Sequence, residues 1–293
     1  ASAAAFPEEV AAASHALGAD ATGTEDGSLG VLLDACAHGD VEAAQEAIVA
    51  GAPLQGTDEW GVTALHAAAA AGHATVLEAL LRAVQRGGAS SGTPIIALQD
   101  KWGRTPIVAA AEGRHGRTGV FELLLEHGAP LELPDLDGRT ALHWATLRGH
   151  IAVVELLLRK GADAGLKDTW GRVLVHHVAA NGKTALLRLL LAQRAKVDAK
   201  DQLLQSPVHA AAAAGHGPAL AALIAAGASA SDADAVGRRP LHYSALHSHT
   251  AASKVLIDAG VDVHVKDQDG RDALSFALHV GSAGGSNNGG SQR

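Results

Sequence analysis

Histidine is the residue type with the most chemical capacity in this chain, because seventeen imidazoles in 293 residues could bind a metal ion or transfer protons. Most of them form two regular series along the sequence. The first series is His66, His143, His176, His209 and His242, and the second is His73, His150, His216 and His249. If the segment from one histidine of a series to the next forms one unit in a stack of helices, equivalent histidines lie about 10 Å apart. Zinc needs nitrogen ligands at about 2.0–2.1 Å, so we expect each imidazole to hydrogen bond to backbone in or beside its own loop instead.

The remaining chemical signals are weak. An adventitious metal site is the alternative interpretation for one group of histidines, namely His242, His247 and His249 with His176 and His177. Three serines (Ser244, Ser248 and Ser253) lie near histidines, but no nucleophile, base and orienting acid can be assembled with any specificity. The sequence contains no phosphate-binding glycine motif. Basic residues are scattered and the net charge is −8, which argues against nucleic acid. We therefore predict no enzyme activity, cofactor, metal or small-molecule substrate.

The elements that position these residues are indicated by a repeated phrase. Intervals of 33 residues separate five aspartates, and each opens a variant of one phrase, such as DLDGRTALH from Asp135 and DTWGRVLVH from Asp168. The other three are Asp201, Asp234 and Asp267, and two earlier phrases start at Asp58 and Asp100. A period near 33 with a T-x-L-H core is typical of ankyrin repeats, and the chain resembles that family from about residue 30 to 280. The resemblance implies an all-α ankyrin-repeat solenoid of stacked helix–turn–helix units with projecting β-hairpin loops.

The same phrases predict the domain organisation. We expect a flexible acidic segment over 1–29, an N-terminal capping repeat over 30–57, a truncated C-terminal repeat over 267–280 and a Gly/Ser-rich tail over 281–293. Six repeats lie between them, over 58–99, 100–134, 135–167, 168–200, 201–233 and 234–266. A short helix is expected over 8–17, and nine additional residues of the first repeat fall most naturally in 85–93.

Local signals place helices within a repeat. In the repeat 135–167, Thr140 is a helix cap before a first helix over 141–148, and IAVVELLLR from Ile151 to Arg159 has the apolar spacing of a second helix. Gly161 ends that helix. Leu204 replaces the loop glycine of six other repeats, which costs on the order of 1 kcal/mol if the backbone there has positive φ.

Candidate binding residues lie at the hairpin tips. The third residue of the repeats at 58, 100 and 168 is Trp60, Trp102 and Trp170, and in the repeat at 201 it is Leu203. The fifth residue is arginine in five repeats, including Arg104, Arg139 and Arg172, while Leu147 and Arg148 end a first helix. In the ankyrin family, hairpin tips and first helices line the concave face that usually meets partners, and Trp and Arg are enriched in binding hot spots. The alternative is structural: each Arg pairs with nearby Asp residues, which we favour for the arginines, and each Trp covers a neighbouring loop.

The function implied by the resemblance is protein–protein recognition, as a scaffold, an adaptor or a subunit of a larger intracellular assembly. An assembly chaperone and an ankyrin segment of a larger multidomain protein remain as alternatives. Residues 1–81 carry twelve acidic residues and no Lys or Arg, so a partner with a basic surface could face this end; the other interpretation is a solvated cap. The single cysteine, Cys36, favours a reducing compartment such as the cytoplasm, and a cytoskeletal or organellar assembly stays open. No apolar run approaches the roughly 20 residues that span a bilayer, so we expect no membrane insertion.

The C-terminal repeat predicts one further surface. Phe276, Leu274 and Leu278 are expected on one side of a last helix that has no second helix to cover it. Two outcomes are open, a contact with another molecule over 267–293 or a frayed end.

Overall fold

Helices of seven to thirteen residues make up the regular structure of the computed structural model, which describes residues 27–86 and 94–283, with side chains to 278. The all-α class is confirmed, because these described ranges contain helices, turns and no strand. The chain divides into two compact units at Leu136 and Asp137. We call them unit 1 (to Leu136) and unit 2 (from Asp137), and the boundary lies in the loop between two helix pairs.

Unit 1 contains six α-helices and one short 3-10 helix (Ile95–Ala97) in its described part. The α-helices are α1 (Gly27–His38), α2 (Val41–Val49), α3 (Ala64–Ala71), α4 (Ala74–Arg86), α5 (Pro106–Glu112) and α6 (Thr118–Glu126). Consecutive helices pair, and the pairs stack: α1, α3 and α5 pack in order, as do α2, α4 and α6.

Unit 2 repeats this arrangement with nine helices in its described part. They are α7 (Ala141–Arg148), α8 (Ile151–Arg159), α9 (Leu174–Ala180), α10 (Thr184–Ala192), α11 (Pro207–Ala213), α12 (Gly217–Ala225), α13 (Pro240–Leu246), α14 (Thr250–Asp258) and α15 (Ala273–Ala283). The first helices α7, α9, α11, α13 and α15 pack in order, and α10, α12 and α14 follow one another beside them.

A histidine caps the start of five first helices in the described residues, where its Nδ1 atom accepts a hydrogen bond from the backbone N–H three residues before it. Thr140 precedes α7, and His143 three residues later accepts a hydrogen bond from the Thr140 backbone N–H through Nδ1, at 3.2 Å. The cap uses the first backbone donor of the helix, which has no partner within the helix itself. At the other end, Gly149 adopts φ 84° and closes the helix in the left-handed conformation that suits glycine. The predicted bounds of both helices in this repeat agree with the structure.

Apolar side chains are buried between stacked helix pairs rather than within any single helix. Leu65 and Ala68 of α3 have no exposed surface, and the eighth phrase position, which Leu65 occupies, stays buried through Leu241. Second helices bury a stripe such as Val153, Val154 and Leu157 of α8. No helix of seven to nine residues is stable alone, so each pair depends on its neighbours to cover these apolar faces.

The structure differs from the sequence-based bounds at three places. Helix α1 begins at Gly27, inside the segment expected to be flexible, and α15 continues to Ala283, beyond the expected start of the tail. Helix α4 extends to Arg86, into the expected insertion. The expected helix over 8–17, the rest of the insertion (87–93) and the tail from 284 lie outside the described residues.

The prediction that Phe276, Leu274 and Leu278 lie on one side of α15 is wrong. Phe276 is buried, with 6% of its surface exposed, whereas Leu274 and Leu278 are 64% and 66% exposed. Residues four apart share a helical face, but a residue halfway between them points to the opposite side. Phe276 therefore contacts α13 at His242, whose ring centroid lies 5.6 Å away, and the two leucines lie on the other side of the helix.

Candidate partner-binding surface

An aspartate holds each hairpin tip in place. The Oδ1 atom of Asp100 accepts the backbone N–H groups of Trp102 and Arg104, at 3.0 and 2.9 Å. The backbone N–H of Asp100 in turn donates to the Arg104 carbonyl. Asp168, Asp201 and Asp234 hold their loops in the same way. This Asx turn directs the third residue of each phrase outward, which is why the tip side chains are exposed.

Backbone hydrogen bonds also join one tip to the next. In unit 1 the Lys101 N–H donates to the Trp60 carbonyl, at 2.9 Å; in unit 2 the Gln202 N–H donates to the Trp170 carbonyl and the Ala235 N–H to the Leu203 carbonyl. The expected hairpins therefore appear as turns linked by single hydrogen bonds. The tips form a rigid row within each unit, since every loop is fixed to its neighbour.

The tip of unit 1 is a pair of stacked tryptophans. The rings of Trp60 and Trp102 lie 5.7 Å apart, 15° from parallel, and 46% and 39% of these residues is exposed. The Lys101 ammonium lies 4.9 Å from the Trp60 ring, and the Arg104 guanidinium 4.4 Å from that of Trp102. Stacking and the cations hold the rings in one orientation.

Arg104 is engaged inside its own loop. Its Nε donates to Asp100 at 2.7 Å, and its Nη1 contacts the buried carboxylate of Glu112. Burial by itself would lower the pKa of Arg104, but the carboxylates of Glu112 and Asp100 outweigh it and raise the pKa. A guanidinium held by two carboxylates supports the loop and has little capacity left for a partner.

The other two candidate arginines lie in unit 2 and have similar contacts. Arg139 lies 5.1 Å from the rings of both Trp144 and Trp170 and pairs with Asp137 at 3.3 Å. Arg172 reaches Asp201 of the following loop, at 3.5 Å. Each therefore stabilises a loop, the role that the sequence favoured for the arginines.

Four apolar side chains form the outer surface of three successive tips in unit 2, and the tips before and after them carry Asp137 and Asp269 at the third position. We define the tip ridge as Trp170, Leu203, Leu204 and Val236, whose exposed fractions are 43%, 57%, 51% and 45%. Leu203 was expected at a tip; Leu204 was noted only as a missing glycine. Sequence spacing cannot show that its side chain faces solvent, so Leu204 was missed as a surface residue.

The first-helix candidates have unlike environments. Arg148 is exposed at the end of α7, while Leu147 is partly buried and its carbonyl accepts a hydrogen bond from the Lys183 ammonium, at 2.6 Å. Burial, with the nearby charge of Arg148, lowers the pKa of Lys183. The structure does not bring these two residues together with the tip ridge through any described contact.

Both histidine series bind backbone. In the first series, His209 accepts from the Ser206 N–H at Nδ1 (3.1 Å), and its Nε2 donates to the Arg238 carbonyl of the next loop (3.2 Å). In the second, the Nε2 atoms of His73 and His249 bond to the carbonyls of Ala37 and Ala213 in the preceding repeat. These imidazoles link neighbouring repeats.

His177 makes a buried hydrogen bond to an aspartate that its phrase position does not predict. Its Nε2 donates to Asp168 Oδ2 at 2.9 Å, and its ring lies edge-on to that of His143, 6.0 Å away. Burial would raise the pKa of Asp168, but the hydrogen bonds from His177 and the Arg172 N–H lower it. Burial, with the neighbouring His177, lowers the pKa of His143 to about 4.

The other chemical groups do not converge. Among the described residues, no three His, Cys, Asp or Glu side chains are placed to hold a metal ion. Ser244 bonds to Ser253 at 2.8 Å rather than to a histidine. The described helices include none that is both long and apolar enough to cross a membrane.

Comparison with known families gives two matches that together cover more than half of the chain. A family model described as ankyrin repeats (3 copies) matches residues 91–168 and 175–267, and one described as ankyrin repeats (many copies) matches residues 32–81. A search of curated proteins found no matching relative.

Proposed function

Because the chain belongs to the ankyrin repeat family, whose repeats are generally protein–protein interaction modules, we propose that it is a scaffold or adaptor that binds protein partners through its hairpin tips. It would act as a subunit of a larger intracellular assembly. The single cysteine, which favours a reducing compartment, supports the intracellular location.

One observation carries this proposal, the exposure of large apolar side chains at a single repeat position. Trp60, Trp102, Trp170, Leu203 and Val236 all occupy the third position of their phrases and are all exposed. Isolated apolar residues on a surface need no explanation, but apolar residues that recur at one position on the rigid loops of each unit do. Tryptophan is over-represented among the residues that dominate binding energy.

Pre-organisation is the mechanism that we propose. The hydrogen bonds that the tip carbonyls accept from the next loop, together with the Asx turns, fix the loop backbone. Stacking fixes the ring of Trp60 against that of Trp102. A partner that meets these rings does not have to order flexible loops, so less of the contact energy is lost on association.

The test is to measure partner binding by tip variants. The wild-type chain is used to isolate partners from the source cell, and the purified partner is then titrated against Trp102→Ala, Leu203→Ser and Val49→Ser. We expect Trp102→Ala or Leu203→Ser to weaken binding about tenfold or more with a small change in melting temperature. Val49, 87% exposed on α2 and not part of a tip phrase, is the matched control, and its substitution should leave binding unchanged.

Two results would contradict the proposal. A large loss of stability with unchanged affinity would show that Trp102 is structural. Equal affinity of all three variants, each with wild-type stability, would place the partner surface elsewhere.

A further inference from the structure

Leu204 holds a backbone conformation that leucine rarely adopts. Its φ is 59°, and the other non-glycine residues with positive φ in the described ranges are Arg194 and Ser248. Equivalent loop positions in unit 2 are glycines, such as Gly171 and Gly237, with φ of 77°. A side chain in this region is strained, and strain persists where surrounding structure or function imposes it.

Folding does not require a leucine at this position. A Cβ atom on Gly171 or Gly237 would lie 3.0 or 3.1 Å from the backbone nitrogen of the next loop, so a larger residue adds crowding there. The Leu204 side chain is half exposed and therefore contributes little to the core. Glycine would satisfy the loop better, which makes the leucine a feature of the surface.

The residues on either side of Leu203 and Leu204 within their own loop, Gln202 and Gln205, are uncharged. The charged groups around the tip ridge pair with one another: Arg139 lies 5.1 Å from the Trp170 ring and pairs with Asp137, and Arg172 pairs with the buried Asp201. The exposed apolar area of the tip ridge is roughly 400 Å², the size of a functional patch on a monomer. That is about half of what each partner contributes to a standard interface, too little for a stable dimer of two copies of this chain.

The loop cannot take a partner by adding a β-strand, because its backbone donors are used. The N–H groups of Gln202, Leu203, Leu204 and Gln205 donate to the Trp170 carbonyl, Asp201 Oδ1, the Asp201 carbonyl and Asp201 Oδ1 respectively. Strand addition depends on free main-chain groups at an edge. Recognition here must use side chains.

The spacing of the repeats favours a helical partner. Stacked helices lie about 8–10 Å apart, so Trp170, Leu203 and Val236 form a row with about that interval. Residues seven apart on an α-helix lie on one face about 10.5 Å apart, which matches the row. Side chains on one face of a strand recur about every 7 Å, which does not.

From these observations we propose that the tip ridge docks an amphipathic α-helix of a partner protein through an uncharged apolar stripe, and that Leu204 is a specificity-determining residue of this contact. The inference rests on the proposed function of the tips. It adds the class of partner and a residue whose conformational strain is retained for binding.

The test uses a display library of random peptides about 18 residues long, enough for an apolar stripe across two to three repeats. Peptides are selected on the wild-type chain, synthesised, and titrated against Leu204→Gly and Arg194→Gly. Arg194 is the matched control, because it also has φ 59° at a position that is glycine in other repeats, including Gly161 and Gly227, but does not belong to the tip ridge. Both variants should be at least as stable as wild type.

We expect helical peptides with uncharged apolar residues seven apart, about tenfold weaker binding to Leu204→Gly and an unchanged affinity for Arg194→Gly. Equal affinity for the two variants would overturn the inference, as would selected peptides that are extended or contact the ridge through charged residues, or a selection that yields no binder. If the inference fails while Trp102→Ala still weakens binding of the natural partner, the tip proposal stands without it.

Discussion

Acidification should destabilise unit 2 through buried histidines of the first series, and His209 shows why. The ring is 1% exposed, its Nδ1 accepts from the Ser206 N–H, and its Nε2 donates to the Arg238 carbonyl. Only the neutral imidazole with its proton on Nε2 makes both bonds, because protonated Nδ1 cannot accept. Burial lowers the pKa of His209 to about 4, against the opposing hydrogen bond to Arg238.

The size and sign of the effect follow from proton linkage. With an unfolded pKa near 6.5, the unfolded chain binds more protons than the folded one between pH 6.5 and 4. Stability is therefore complete above that window, falls as the pH falls through it, and levels off below about 4. Between pH 7 and 5 this amounts to about 2 kcal/mol for His209. His143, with its pKa also lowered to about 4, adds a similar loss.

Two measurements check this prediction. Chemical denaturation of the wild-type chain at a series of pH values should show the loss, and the pH dependence of His209→Gln should be shallower by about 2 kcal/mol over the same range. Titration of the His209 ring by NMR gives its folded pKa directly. A pKa between 6 and 7, or the same pH dependence in the variant and the wild type, would refute the reasoning.

Three further predictions concern stability and accessibility. Burial raises the pKa of the Cys36 thiol to about 12, so a thiol reagent should leave the native chain unmodified at neutral pH and react fully in denaturant; rapid native labelling would contradict this. Phe276→Ala should cost about 3–5 kcal/mol in denaturant unfolding, whereas Leu274→Ala on the exposed side of α15 should cost little, and equal losses would argue against the packing of that helix. Hydrogen exchange should show the strongest protection over about 140–225, where the 33-residue period is unbroken, and uniform protection throughout the described residues would be inconsistent with additive repeat stabilities.

The sequence by itself determined the helix pairs and their register. The phrase around Thr140 and His143 specifies a cap, Gly149 a turn and Gly161 a helix end, and all three rules act within a few residues of backbone. The same locality applies to the Nδ1 hydrogen bonds of the first histidine series, whereas the Nε2 bonds of both series reach carbonyls of neighbouring repeats. The tip positions of Trp60 and Trp102 also follow, since the Asx turn of each aspartate directs the third residue outward.

Only the tertiary structure decided which of these side chains are available to a partner. Arg104 and Trp102 are two positions apart in one loop, yet the guanidinium is held by Asp100 and Glu112 while the ring is exposed. Leu274 belongs to a position that is buried in every preceding repeat and is exposed in the last described one. The exposure of a side chain depends on what the neighbouring repeat places against it. Those contacts come from a repeat 33 residues away in sequence, so a pattern within one repeat cannot predict them.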